Sequence, residues 1–281
     1  MKILITGATG QLGHDCVEEC RARGHEVHGV SSEIFPLSDE NVMRAVLDAV
    51  EPDAILHAAA YTAVDKAEDE PSLCRKINAA GTEILARLAR AHDAKLLYIS
   101  TDYVFPGTGD VPHETNELTA PHNVYGASKL AGEEAVQEHL DKYFIVRISW
   151  VFGAHGHNFV KTMLDLAKTH KSLSIVNDQI GSPTYTRDLA PLLADMLESE
   201  KYGIYHATNE GFCSWAQFAR EIFRQAGAEV NVTNVPSHMY PTKATRPKNS
   251  RLSKKSLDEA GFHRLPPWED AVGRVLEELK E

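Results

Sequence analysis

Five short apolar runs alternate with longer amphipathic stretches over the first 150 residues, and this rhythm constrains the fold more than any other feature of the chain. Lys2–Thr6 (KILIT), His25–Val30, Ala54–Ala59, Lys95–Ser100 and Phe144–Ser149 read as strands. Between them the spacing predicts helices over Leu12–Arg23, Glu40–Val50, Ser72–His92 and Tyr125–Leu140. Strands that are apolar at successive positions have no face to give to water. When helices separate them, they build a parallel sheet covered on both sides. The expected class is therefore α/β, a doubly wound parallel sheet of the Rossmann type.

After Trp150 the rhythm loosens. Helices are expected at Asn158–Thr169, Arg187–Glu198, Trp215–Ala226 and Trp268–Leu279, with strands at Leu173–Val176 and Gly203–His206. The run PSHMYPTKATRPKN, residues 236–249, holds three prolines and little periodicity, and reads as a long ordered loop. Residues 1–150 are expected to form a dinucleotide-binding domain. Residues 151–281 are expected to be mainly a smaller α/β substrate-binding portion, with some segments returning to the first.

The net charge is −11, without an extended basic run, which argues against nucleic-acid binding. No run of eighteen apolar residues suggests a membrane span, and the chain enters a strand without a charged leader, so a cytoplasmic protein is expected. Cys16, Cys20, Cys74 and Cys213 have no metal-binding spacing and read as free thiols. His155 and His157, in the turn GAHGHN, look most like ligands, but no third ligand lies nearby in sequence; they read as loop residues and no metal is expected.

The first strand runs directly into GATGQLG, with Gly7, Gly10 and Gly13, and a helix follows. In that context backbone N–H groups and the helix dipole stabilise a pyrophosphate, and glycine lets the phosphates approach. The end of the second strand ordinarily selects the cofactor. Here Ser31 and Ser32 stand where a carboxylate would select NAD, so NADPH is expected, with NADH tolerated. Ala58 and Ala59, after the third strand, leave room for a ribose or nicotinamide, or else serve close packing.

The fourth strand ends in STDYVF, which puts Thr101, Asp102 and Tyr103 at the sheet edge where ligands sit. Tyr125 follows 24 residues after Thr101, and Lys129 lies one helical turn beyond it. Tyrosine titrates near ~10, so acid–base work near neutrality needs about 4 kcal/mol of help. An ammonium ~4 Å from the phenolate supplies about that much at an effective dielectric of ~20. Thr101 would hold the substrate oxygen beside Tyr125.

Thr101, Tyr125 and Lys129 together form the Ser/Thr, Tyr-x-x-x-Lys arrangement of the short-chain dehydrogenase/reductases. The segments HAAAYTAVDKAE, ISTDYVFPG, YGASKLAGE, RISWVFG and NDQIGSPTYTRDLA resemble the dTDP-4-dehydrorhamnose reductase family more specifically. The resemblance implies NADPH-dependent reduction of the 4-keto group of dTDP-4-dehydro-L-rhamnose to dTDP-L-rhamnose. It implies Thr101, Tyr125 and Lys129 as catalytic residues, with Tyr125 and Lys129 also on the cofactor. Gly7, Gly10, Gln11, Leu12, Ala58, Ala59 and Tyr61 match cofactor-lining positions, and Tyr103 and Trp150 match sugar-contacting ones. Asp102 belongs with them on the substrate side. Arg246 and Asn249 are candidates for the nucleotide diphosphate or base, since guanidinium fits phosphate. The resemblance admits a homodimer, and some family dimers use acidic residues and Mg²⁺ at the interface, for which no ligands are identified here. Two other readings stay open at this point: another nucleotide-sugar epimerase or reductase, and a regulatory β subunit of methionine adenosyltransferase.

Overall fold

The computed structural model describes residues 1–280. Six parallel strands form the central sheet: β1 (Lys2–Thr6), β2 (Glu26–Val30), β3 (Ala54–His57), β4 (Lys95–Thr101), β5 (Tyr143–Ile148) and β6 (Gly203–His206). Their order across the sheet is β6-β5-β4-β3-β1-β2, with every pairing parallel. The order reverses between β1 and β3, which opens a crevice at the carboxyl ends of those strands.

Alternation along the strands divides the core into two layers. Ile3 and Ile5 point to one face, where α1 (Gln11–Ala22) packs Leu12, Cys16 and Cys20. Leu4 and Ile55 point to the other, against Met43 and Leu47 of α2 (Glu40–Val50) and Leu85 of α3 (Gly81–Ala91). Val136 of α4 (Val124–His139) joins the second layer, and Leu189 and Leu193 of α5 (Thr186–Glu198) join the first. Each such fully buried aliphatic side chain contributes roughly 1.5–3 kcal/mol. The doubly wound α/β expectation holds.

A third cluster, with Phe152, Phe218, Trp268 and Val272, lies wholly after Trp150. It joins helices Phe159–Ala167, Trp215–Ala226 and Trp268–Glu278 to a parallel strand pair, Ser172–Val176 with Asn231–Val235. The chain does not stay there, because α5 and β6 return to the main sheet.

The helix expected at Ser72–His92 is not one regular element. It runs as Pro71–Arg75, a π-helical turn at Lys76–Ala80, and then α3. The wider turn frees the Asn78 carbonyl, which accepts the Thr82 hydroxyl at 2.8 Å. It also aims the buried Asn78 side chain inward, where its amide bonds the backbone of Tyr61 and the hydroxyl of Ser128. The loop expected at residues 236–249 is ordered by a short 3₁₀ turn, Ser237–Met239, and by pairing of Asn249–Ser250 with Ile180–Gly181.

Candidate active site

Gly7 has φ 69° and lies so close to Ala59 that a Cβ there would meet the Ala59 nitrogen at 2.8 Å. A Cβ on Gly13 would meet the Gly7 oxygen at 2.0 Å, so the turn and the helix behind it nearly touch. Gly10 caps α1 without any side-chain hydrogen bond. The first N–H groups of α1 therefore face the crevice unclaimed, in the arrangement that binds a pyrophosphate. Ala58, Ala59 and Tyr61 follow β3 on the far side of the Gly7 turn; the Thr6 hydroxyl accepts from the Ala59 N–H at 3.2 Å. The Ala8 N–H bonds the Val30 carbonyl, which brings Ser31 and Ser32 beside the turn.

Thr101 ends β4 and caps the 3₁₀ turn Asp102–Val104, accepting from the Tyr103 N–H at 3.2 Å. Its hydroxyl donates to Asp102 Oδ1 at 3.1 Å. The other Asp102 oxygen is buried without a hydrogen-bond partner, and burial raises that carboxyl to about 6, with the nearby Ser250 and Thr101 hydroxyls opposing.

Tyr125 stands in the first turn of α4, which is capped by the Asn123 side chain on the Gly126 N–H at 2.7 Å. A Cβ on Gly126 would fall 2.3 Å from the Tyr103 carbonyl oxygen, so glycine is what lets α4 lie against the end of β4. The rings of Tyr103 and Tyr125 meet edge to face, 5.7 Å between centroids. Burial, then the charges of Asp102 and Tyr103, push the Tyr125 hydroxyl well above the usual phenol range, with the Thr101 hydroxyl opposing. At neutral pH it holds its proton.

Lys129 follows Tyr125 by one turn of α4 and is buried. The Lys129 ammonium lies over the Tyr98 ring, 3.9 Å from its centroid. Burial lowers the lysine to about 7, with Glu133 and Cys74 opposing. The i,i+4 spacing brings the two side chains to one face but does not fix the lysine rotamer.

Two cavities adjoin this edge, of ≈ 680 Å³ and ≈ 490 Å³, and both are lined by Tyr103 and Arg246. Arg246 donates to the Tyr103 hydroxyl at 3.1 Å and to Asp65 at 2.5 Å. Trp150 lines the larger cavity with φ 49°, its indole stacked on Trp215 at 3.7 Å. Gly181 permits this pose, since a Cβ there would meet the Trp150 ring at 2.8 Å. Asn249, in contrast, is not brought to either cavity. It is 1% exposed, its amide donating to the Thr108 and Val111 carbonyls and its oxygen accepting from Arg251. Its hydrogen bonds go to the 108–111 loop and to Arg251, and it lines neither cavity.

Spacing also passed over several groups. Glu133 continues the Tyr125–Lys129 series by one more turn, and Arg147 on β5 clamps it through both oxygens at 2.9 and 2.7 Å, with both side chains buried. The repeated step of four was the available signal. Nothing in the sequence pairs Asp65 with Arg246, 181 residues away. Trp215 carried no pattern beyond its place at a helix start.

The family model described as "RmlD substrate binding domain" matches residues 1–281. The chain is 41% identical to the dTDP-4-dehydrorhamnose reductase of Salmonella typhimurium, covering 99% of this chain and 98% of the relative. It is 40% identical to that of Escherichia coli K12, with the same coverage. The crystal structure of the Bacillus anthracis dTDP-4-dehydrorhamnose reductase in complex with NADP superposes with a TM-score of 0.96 at 42% identity, over 99% of each chain. The Clostridium acetobutylicum ortholog gives a TM-score of 0.98 at 38% identity, over the full length of both. A Thermus thermophilus UDP-glucose 4-epimerase shares the fold alone, at 21% identity and a TM-score of 0.85.

Proposed function

The chain belongs to the RmlD family of dTDP-4-dehydrorhamnose reductases, and from that premise we propose the following division of labour among its residues. The reaction is the NADPH-dependent reduction of the 4-keto group of dTDP-4-dehydro-L-rhamnose to give dTDP-L-rhamnose. The uncapped start of α1 and the cradle formed by Gly7, Gly13 and Ala59 fit a dinucleotide, with Gln11 and Leu12 offering N–H groups to its pyrophosphate. Ser31 and Ser32 put no carboxylate beside that turn, which suits a 2′-phosphate. When bound, NADPH supplies the hydride.

Tyr125 donates the proton. As the carbonyl carbon is reduced, the oxygen gains charge and takes the phenolic proton, so the net addition across C=O is one hydride and one proton. A hydroxyl that stays protonated at neutral pH is the correct starting state for this direction. Thr101 and Asp102 hold the same oxygen and its neighbour hydroxyl, which fixes the ketone beside Tyr125. Lys129 answers the negative charge left on the tyrosinate. Trp150 offers an indole face to the sugar, and Arg246 exchanges Asp65 for the diphosphate of the substrate. Among the described residues no helix is long and apolar enough to cross a membrane.

The observation that carries this reading is the packing of Tyr103 on Gly126, which sets Tyr125 against the Thr101–Asp102 edge. The test is NADPH oxidation at 340 nm with dTDP-4-dehydrorhamnose made in place by its dehydratase and epimerase. Oxidation that requires the epimerase and yields dTDP-L-rhamnose supports it; epimerase-independent oxidation, or a different sugar product, contradicts it.

A further inference from the structure

Trp150 stands just past the end of β5 in a backbone conformation that tryptophan seldom adopts, φ 49°. A residue held there costs energy, and it persists only where its surroundings over-determine it. Here they do. The Trp150 carbonyl accepts the Thr184 N–H at 3.1 Å, and the Ser149 carbonyl before it accepts the Thr184 hydroxyl at 2.5 Å. Gly181 makes room for the indole, and the Trp215 ring lies parallel to it, with centroids 3.7 Å apart and planes at 14°.

Trp215 is itself fixed from several sides. It is the first residue of its helix, and a reciprocal cap between Ser214 and Gln217 sets that helix start. The Ser214 hydroxyl donates to the Asn177 side chain at 2.7 Å, which ties the cap to the end of the strand Ser172–Val176. The indole N–H donates to Gln179 at 3.2 Å, and Phe159 packs on the ring at 4.7 Å between centroids. A stacked pair that served the core alone would be fully buried, as Phe152 and Phe218 of the same cluster are. Both tryptophans instead stay half-buried and line the ≈ 680 Å³ cavity.

We propose that Trp215 is a positioning residue for the dTDP-sugar, acting through Trp150: its ring is the buttress that holds the Trp150 indole in the one pose the substrate meets. The inference rests on the proposed contact of Trp150 with the sugar. Without the buttress the Trp150 side chain regains rotamer freedom, and each binding event has to order it again. That loss falls on affinity. Thr101 and Tyr125 are set by β4 and α4 and not by this stack, so the chemical step is spared.

The test compares Trp215→Leu, Trp215→Phe, Trp150→Leu and the Trp150→Leu/Trp215→Leu double variant, as full-length enzymes saturated with NADPH. Trp215→Leu should raise KM for dTDP-4-dehydrorhamnose about tenfold and leave kcat within about threefold, with the NADPH dissociation constant unchanged. Trp215→Phe, which keeps a ring to stack, should recover most of that loss. In the Trp150→Leu background, Trp215→Leu should raise KM no further, because the residue it acts through is gone. The exciton couplet of the stacked indoles in circular dichroism should disappear in every variant while the helical signal stays, which separates a lost stack from lost folding. An unaltered KM in Trp215→Leu overturns the proposal. So does a Trp215→Leu effect that appears in full on top of Trp150→Leu, since Trp215 would then touch the ligand in its own right. If Trp150→Leu alone leaves KM unaltered, it is the sugar contact assigned to Trp150 that fails, and this inference falls with it.

Discussion

The ammonium of Lys129 sits 3.9 Å from the centroid of the Tyr98 ring, buried in the same face of α4 that carries Tyr125. The aromatic face and the nearby Glu133 offset only part of the cost of burying that charge, which is why the lysine falls to about 7.

This has a consequence for stability against pH. Lys129 faces Glu133 and Cys74, the buried His57, which it helps to lower to about 3, and the neutral Tyr125. Because its folded pKa lies below its unfolded value of 10.5, the unfolded chain binds the extra proton first as pH falls. The lysine's contribution to stability is thus fully present above 10.5 and is lost as pH falls to about 7. Lys129→Met should therefore melt a few degrees above the native protein at pH 6, the gap narrowing toward pH 10, while its turnover collapses. A calorimetric scan at both pH values reads this directly; a lower melting temperature at pH 6 would contradict it.

Glu133 and Arg147 form a buried pair with two hydrogen bonds, and the Ser100 hydroxyl also donates to Glu133. Removing one partner leaves the other as an uncompensated charge, at a cost of about 3–5 kcal/mol. Glu133→Gln and Arg147→Met should each approach that loss in urea unfolding. The double variant should lose clearly less than the sum. Strict additivity would mean that the two residues act separately.

In an open helix, glycine to alanine stabilises by about 0.8–1 kcal/mol. At Gly126 the new Cβ would fall 2.3 Å from the Tyr103 carbonyl oxygen. Gly126→Ala should instead destabilise by about 1–3 kcal/mol. By displacing Tyr125 it should also lower kcat by about 10²-fold, with NADPH affinity little changed. The sign of the stability change is the diagnostic outcome.

Arg246 is held by Asp65 and Tyr103 and lines both cavities. If it meets the diphosphate, Arg246→Ala should raise KM for the dTDP-sugar about tenfold or more with kcat nearly unchanged. Asp65→Asn, which frees the guanidinium, should move KM much less. An Arg246→Ala enzyme whose KM is unaltered would exclude that contact.

The doubly wound sheet was legible because apolar runs and helical periods are local, and β1 through β5 begin and end within two residues of where the pattern puts them. The π turn at Lys76–Ala80 was not, because its cause is tertiary: Asn78 is drawn toward Tyr61 and Ser128. Asn249 read as a polar loop residue free to meet a ligand, and only the fold shows that the 108–111 carbonyls claim it. His155 meets His14 only through the long return of the chain, which local spacing does not show. The Thr101, Tyr125 and Lys129 spacing pointed to one edge of the sheet, yet a spacing of four carries no information on where a lysine side chain swings.

The central claim is that Tyr125 gives the ketone its proton, and the Tyr125→Phe variant tests it most directly. Single-turnover reduction is followed by NADPH fluorescence, with the cofactor's dissociation constant measured on the same preparation. The account predicts a rate lower by about 10²–10⁴-fold and a dissociation constant within a few-fold of the native value. Near-native turnover in Tyr125→Phe would contradict it and move the proton donor to another group at the same edge, with Asp102 the first to examine.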